Sequence, residues 1–316
     1  MSPILLRYLS GKAPPSQEEQ GRLIREEVDR HAYIPQVERV LVPIIPSLRP
    51  EMVSVVVERI ARVKHEENQI FDITELVVEA EKPEPAPAEV QAMHTLDAAS
   101  GLKEVELTQQ RVEGDQEPVQ AILDAIPGHA LLAIGAYPPT LARITFGRFQ
   151  DDLIHRSPSN VLVVTGQIER WDWPDMRRIL VPTNGFAQAM AAGDLAAALA
   201  KSCDAELVVL HVLEPEPNRR YRPAAEWNRE REEAFGVVEK LAVIACRLGV
   251  RGTERIAEGR IAGEVILGEL DREPYQLVAL GGVDRGSEDP PYLGRTIQTV
   301  LTEGHTPSIL LVSHLT

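Results

Sequence analysis

From Gln276 to Val312 the chain reads QLVALGGVDRGSEDPPYLGRTIQTVLTEGHTPSILLV. The residues there that could do chemistry are Gly281, Gly282, Arg285, Gly286, Gly294, Arg295 and Thr296. The apolar run over residues 277–280 stops at Gly281-Gly282, the pattern of a buried parallel strand entering a tight turn. Gly294-Arg295-Thr296 then opens a helix with Ile297, Val300 and Leu301 on one face, and Ile309 to Val312 forms a closing strand. Such a unit leaves backbone N–H groups at the strand's carboxyl end, where an anion, phosphate first, can use them.

Little else in the chain has the spacing of a reactive site. Ser/His/Asp arrangements, HExxH, Walker loops and EF-hands are missing from the sequence, and its eight histidines are scattered. His211, inside an apolar strand, reads as a hydrogen-bonded core histidine. Asp151-Asp152 and Glu232-Glu233 read as solvated helix faces, since sequence neighbours do not face each other on a helix. Cys203 and Cys246 fall in helices without CxxC spacing, as small core residues of a protein in a reducing cytoplasm. These features predict neither catalysis nor a metal site.

The elements that must position the loop are bounded by composition. With 316 residues, 44% of them hydrophobic, the chain can bury one large or two medium cores, and length alone favours two. A net charge of −15 repels nucleic-acid backbone and anionic lipid, so nucleic acid is excluded as a partner. Apolar runs fall short of the roughly 20 residues that span a bilayer.

Residues 1–36 stand apart as an N-terminal extension. An apolar cluster of Ile4, Leu5, Leu6, Tyr8 and Leu9 precedes a polar stretch and a charged helical one, a pattern suited to docking on a protein partner or at a membrane surface. Residues 37–166 alternate strands with helices. Arg39 to Ile44 is a β-branched strand, and Met52, Val55, Val56, Ile60 and Val63 make one helical face after it. Residues 70–78, 105–112, 131–134 and 161–164 are further strands, and residues 81–89 a proline-rich acidic loop. Residues 167–176, with Trp171 and Trp173, are a linker, the tryptophans packing between domains.

From residue 177 to 316 the pattern begins again. Val181 lies 139 positions after Val42, Gly259 lies 145 after Gly114, Gly281 lies 146 after Gly135, and Gly294 lies 147 after Gly147. Slowly growing offsets are what loop insertions in a duplicated domain produce. Strands alternating with helices predict parallel sheets covered on both faces, with ligands beyond the strands' carboxyl ends.

Ile179-Leu180-Val181-Pro182-Thr183-Asn184-Gly185, then Leu210-His211-Val212, Glu258-Gly259, and Gly281 with Gly294 ahead of a last helix and strand, resemble the universal stress protein family. The resemblance covers residues 177–314 well and 38–165 more weakly. It implies an α/β fold of two tandem Rossmann-like domains, each a five-stranded parallel sheet flanked by helices. It implies pairing through last strands, as a homodimer or an internal pseudo-dimer. The activity implied is that of a non-enzymatic cytoplasmic regulator or scaffold acting through protein contacts, including as a companion of a membrane protein docked through residues 1–36.

Some family members bind ATP, so the alternative is a stress sensor for ATP or AMP in the second domain, held by Thr183, Asn184, Gly281, Gly282, Arg285, Gly286, Gly294, Arg295 and Thr296. The chain departs from the family's loop at several places. Asp284 takes the middle glycine, where it would oppose a triphosphate, Arg295 takes a hydroxyl position, and Asn184 replaces an Asp. In the first half Pro138 removes an N–H donor and Ile44-Ile45 replaces a polar pair, which predicts that this half binds no nucleotide.

Overall fold

A computed structural model describes residues 32–78, 86–112, 117–140, 145–166, 176–215, 224–284 and 293–314. Residues 33–316 form one unit and residues 1–32 another. Nearly all of the N-terminal extension, the linker with Trp171 and Trp173, Glu113-Gly114 and most of the acidic proline loop lie outside the described residues.

The first half comprises β1 (Arg39–Ile44), α1 (Pro50–Glu66), β2 (Phe71–Val78), α2 (Pro87–Ser100), β3 (Val105–Val112), α3 (Pro118–Ala125), β4 (Leu131–Ala136), α4 (Arg148–Arg156) and β5 (Asn160–Thr165). The second half comprises β6 (Arg178–Pro182), α5 (Ala187–Cys203), β7 (Glu206–Leu213), α6 (Ala224–Arg247), β8 (Gly252–Glu258), α7 (Ala262–Arg272), β9 (Leu277–Asp284), α8 (Arg295–Glu303) and β10 (Ser308–His314).

All ten strands lie in one sheet, in the order β3-β2-β1-β4-β5-β10-β9-β6-β7-β8. Each half is a five-stranded parallel sheet, and the two meet edge to edge where β5 and β10 pair antiparallel, Thr165 opposite Ser308 and Val161 opposite Val312. The sequence favours this join. Residues 161–164 and 309–312 are continuous apolar runs, fully covered in the structure, and an exposed edge of that kind would invite intermolecular pairing. Only the charged strands β3 and β8 remain as edges.

The helix α1 buries Met52, Val53, Val56, Val57, Ile60 and Val63, a wider face than the spacing predicts. It is wedged between its own sheet and α5 of the other half, so two stripes are covered. In α5 the run from Ala192 to Ala200 is buried on every side, because the helix packs on β9, β10, α1 and α6 together. Small side chains permit that close approach. A Cβ at Gly193 would sit 2.5 Å from Leu241 Cδ2.

Candidate functional site

Thr183 and Asn184 follow β6 at its carboxyl end. The Thr183 amide donates to the Leu210 carbonyl (2.8 Å), and its hydroxyl accepts the Gly185 amide (3.1 Å). Asn184 Oδ1 accepts the Phe186 amide (3.1 Å), an Asx turn that steers the chain into α5. With its oxygen engaged, exposed Asn184 has its Nδ2 donors to offer, so it can serve the acceptor atoms of a sugar or base and cannot mimic an Asp.

The glycines play a different part from the one their spacing suggests. The strand β9 does not stop at Gly281-Gly282. Its ladder with β10 continues through Gly281 opposite Leu311 and Gly282 opposite Val312 to Asp284 opposite His314. Gly281 is required by packing, since a Cβ there would lie 2.2 Å from the Gln188 carbonyl oxygen in the first turn of α5. Arg285 and Gly286, which follow Asp284, lie outside the described residues.

Asp284 also departs from its expected role. Its carboxylate is buried, and Oδ2 lies 3.0 Å from His155 Nδ1 on α4 of the other half. Gly282 and Val283 line the adjacent cavity and Asp284 does not. The contact with His155 directs the Asp284 carboxylate to the join.

The cavity measures about 360 Å³. Its wall includes Thr183, Asn184, Gly281, Gly282, Gly294, Arg295 and Thr296, the seven described residues of the nine singled out in sequence, closed by Leu210, Val212, Ile266 and Leu293, with 67%-exposed Phe186 at its mouth. One end is the start of α8. Gly294 is its N-cap at φ +100°, which sets the positive end of the helix beside Arg295 and Thr296. Glu214, also on the wall, is spent on α7, where its Oε1 accepts the Ala262 amide at 2.7 Å.

In the first half, polar side chains near the matching helix start are engaged with the protein itself. At the start of α4 the carboxylate of Asp151 accepts the amides of Phe146 and Gly147, both at 3.2 Å. Asp151 is therefore a buried helix cap and not a solvated surface acid. Its counterpart 147 positions later is neutral Gln298. Arg49, at φ 47°, donates to the Gly166 carbonyl (2.6 Å) and stacks 4.5 Å from the Tyr137 ring centre, while Gln150 Nε2 donates to the Ser47 carbonyl at 2.9 Å. The Asp four residues into a glycine-led helix was the signal available in sequence for this self-capping.

Other sequence readings also shift. Burial pushes the His211 imidazole pKa down, against a hydrogen bond with the Thr183 backbone. His211 alternates with the cavity residues Leu210 and Val212, so it faces the other side of the sheet. Cys246 is exposed rather than core, and half-buried Cys203 is pushed up to about 11 by burial, which leaves it an inert thiol. Among the described residues there is no cluster of three or more potential metal ligands, and no helix is long and apolar enough to cross a membrane.

Residues 176–311 match the sequence profile of the universal stress protein family. This half is a universal stress protein domain. Among solved structures, a universal stress protein from Archaeoglobus fulgidus DSM 4304 is 18% identical over 87% of this chain and 98% of its own, with a TM-score of 0.53. A functionally unknown protein from Pseudomonas aeruginosa PAO1 is 16% identical over 88% and 94%, with a TM-score of 0.56. At such identities the likeness establishes the fold alone, over both halves. No curated protein matches the chain significantly.

Proposed function

We propose that the protein is a non-catalytic regulator whose second universal stress domain takes one adenine nucleotide, ATP or AMP, and whose first domain takes none. The asymmetry of the two helix starts carries this reading: the Asp151 carboxylate takes the Phe146 and Gly147 amides ahead of α4, whereas the matching position in α8 is neutral Gln298, with no carboxylate to compete with an anion. In the proposed complex the first-turn amides, Arg295 and Thr296 hold phosphate, Asn184 donates to the nucleoside, and Leu210, Val212 and Ile266 cover the base. Asp284 raises no electrostatic objection, being held at the join by His155. The output is a protein contact, for which residues 1–36 offer an apolar docking cluster.

Titration calorimetry of the full chain with ATP, ADP and AMP should give one site per chain. Gln298→Asp would install in α8 the carboxylate that closes α4 and should weaken binding at least tenfold. No heat at millimolar nucleotide, or unchanged affinity in Gln298→Asp, would overturn the proposal.

A further inference from the structure

Residues 33–37 cross the join between the two halves, and two charged side chains with almost no exposure hold them there. Asp194 of α5, 2% exposed, accepts the backbone amide of Ile34 at 2.7 Å and also that of Tyr33. Lys64 of α1, 0% exposed, donates to the Pro35 carbonyl at 3.4 Å and sits 5.9 Å from the Phe71 ring centre. The Tyr33 hydroxyl accepts from Asn160 Nδ2 at 3.2 Å, and Ile34 and Val37 are buried. A carboxylate of the second half and an ammonium of the first are thus bridged by a short length of main chain.

We propose that residues 33–37 are a releasable strap, which leaves the body locally while the ten-stranded sheet stays intact. The design differs from a rigid plug because both anchors carry a desolvation cost while the strap is closed. Burial lowers Lys64 from its ordinary 10.5 to about 8, and it raises Asp194 despite the two amides. Lys64 also faces Glu38 and Asp194, and Asp194 faces Lys64 and Arg247. These attractions offset the cost without cancelling it.

The sign follows from proton linkage. Opening returns Lys64 to water and lets it take up a proton, so opening is favoured below the ordinary lysine value and opposed as pH rises toward it. Asp194, raised when closed, gives up its proton on opening, which also favours release once pH exceeds the ordinary carboxylate value. The strap is therefore loosest near neutral pH. Above pH 10 the ionisation of Tyr33, pushed up to about 12 in the closed state, works toward release again.

Hydrogen exchange at the Tyr33 and Ile34 amides of the full chain, corrected for intrinsic pH dependence, tests this. Their opening constant should fall about tenfold between about pH 7 and about pH 9, as a lysine at about 8 when closed and 10.5 when open requires. Lys64→Met should flatten that response. Asp194→Asn keeps an oxygen for the Ile34 amide but leaves Lys64 with Glu38 as its remaining counter-charge, and should open several-fold more often, while the Lys64→Met/Asp194→Asn pair should recover or exceed native protection. Exchange that is pH-independent in the native chain, or that occurs only together with Val163 and Leu310 at the centre of the join, overturns the strap.

Discussion

His155 Nδ1 and Asp284 Oδ2 stand 3.0 Å apart across the join of the two halves, the first on α4 and the second at the last residue of β9. The Asp284 carboxylate is 1% exposed and the imidazole 34%, so the bond is made at the margin of the core, where water competes poorly. A residue that reads in sequence as a damaged phosphate loop is in fact part of the seam.

Two opposite expectations follow for this pair. His155→Ala removes a donor to a buried carboxylate and should cost about 1–2 kcal/mol in urea unfolding, with no loss of nucleotide affinity. Asp284→Gly restores the family's residue. Were the carboxylate facing phosphate, affinity for ATP would rise sharply; with it held at the seam, the change should stay within about twofold by calorimetry. A large gain in affinity would return Asp284 to the ligand.

The two site glycines separate packing from ligand contact. Gly281→Ala would place a methyl 2.2 Å from the Gln188 carbonyl, backbone against backbone, so β9 and α5 must part. The expected cost is about 3 kcal/mol or more, seen as a lowered unfolding midpoint. Gly294→Ala meets nothing within 4 Å but must hold φ +100°, a strain of about 1–2 kcal/mol confined to the start of α8. Equal losses at the two positions would contradict this division.

How far the fold was legible from sequence depends on range. Strands β1, β4, β5, β9 and β10 are short apolar runs because parallel strands are covered on both faces, and their length with the bounding glycines and prolines locates them. The repeat spacing likewise exposes the duplication. What escaped is set by contacts distant in sequence. Asp194 reads as one polar residue of an alanine-rich helix, yet it is buried in the middle of α5, and the return of residues 33 and 34 gives its carboxylate donors. Lys64 looks like a polar residue of an amphipathic helix until α5 covers it. Gly281 looks like a turn because a helix approaching a strand and a loop approaching a phosphate need the same missing Cβ. Seven of the site's residues did converge on one cavity, since the carboxyl ends of β6 and β9 are adjacent in this topology.

At the opposite end of the second half, Glu206 is the group whose charge should shape acid stability. Its Oε1 accepts the Thr253 hydroxyl at 2.5 Å and its Oε2 accepts Arg178 Nε at 3.0 Å, a brace joining β6, β7 and β8. The Thr253 hydrogen bond, with the Arg178 charge behind it, holds the carboxyl below its ordinary 4.5 against the opposing effect of burial. A depressed folded value means the stabilisation is fully present above pH 4.5 and is lost as pH falls through the folded value, because the unfolded chain takes up its proton first. Glu206→Gln removes the charge and keeps the shape. It should cost about 1–3 kcal/mol in urea unfolding at about pH 7, and the gap to the native chain should close toward about pH 3. A gap that persists unchanged in acid would mean that packing, and not the charge on Glu206, holds these three strands together.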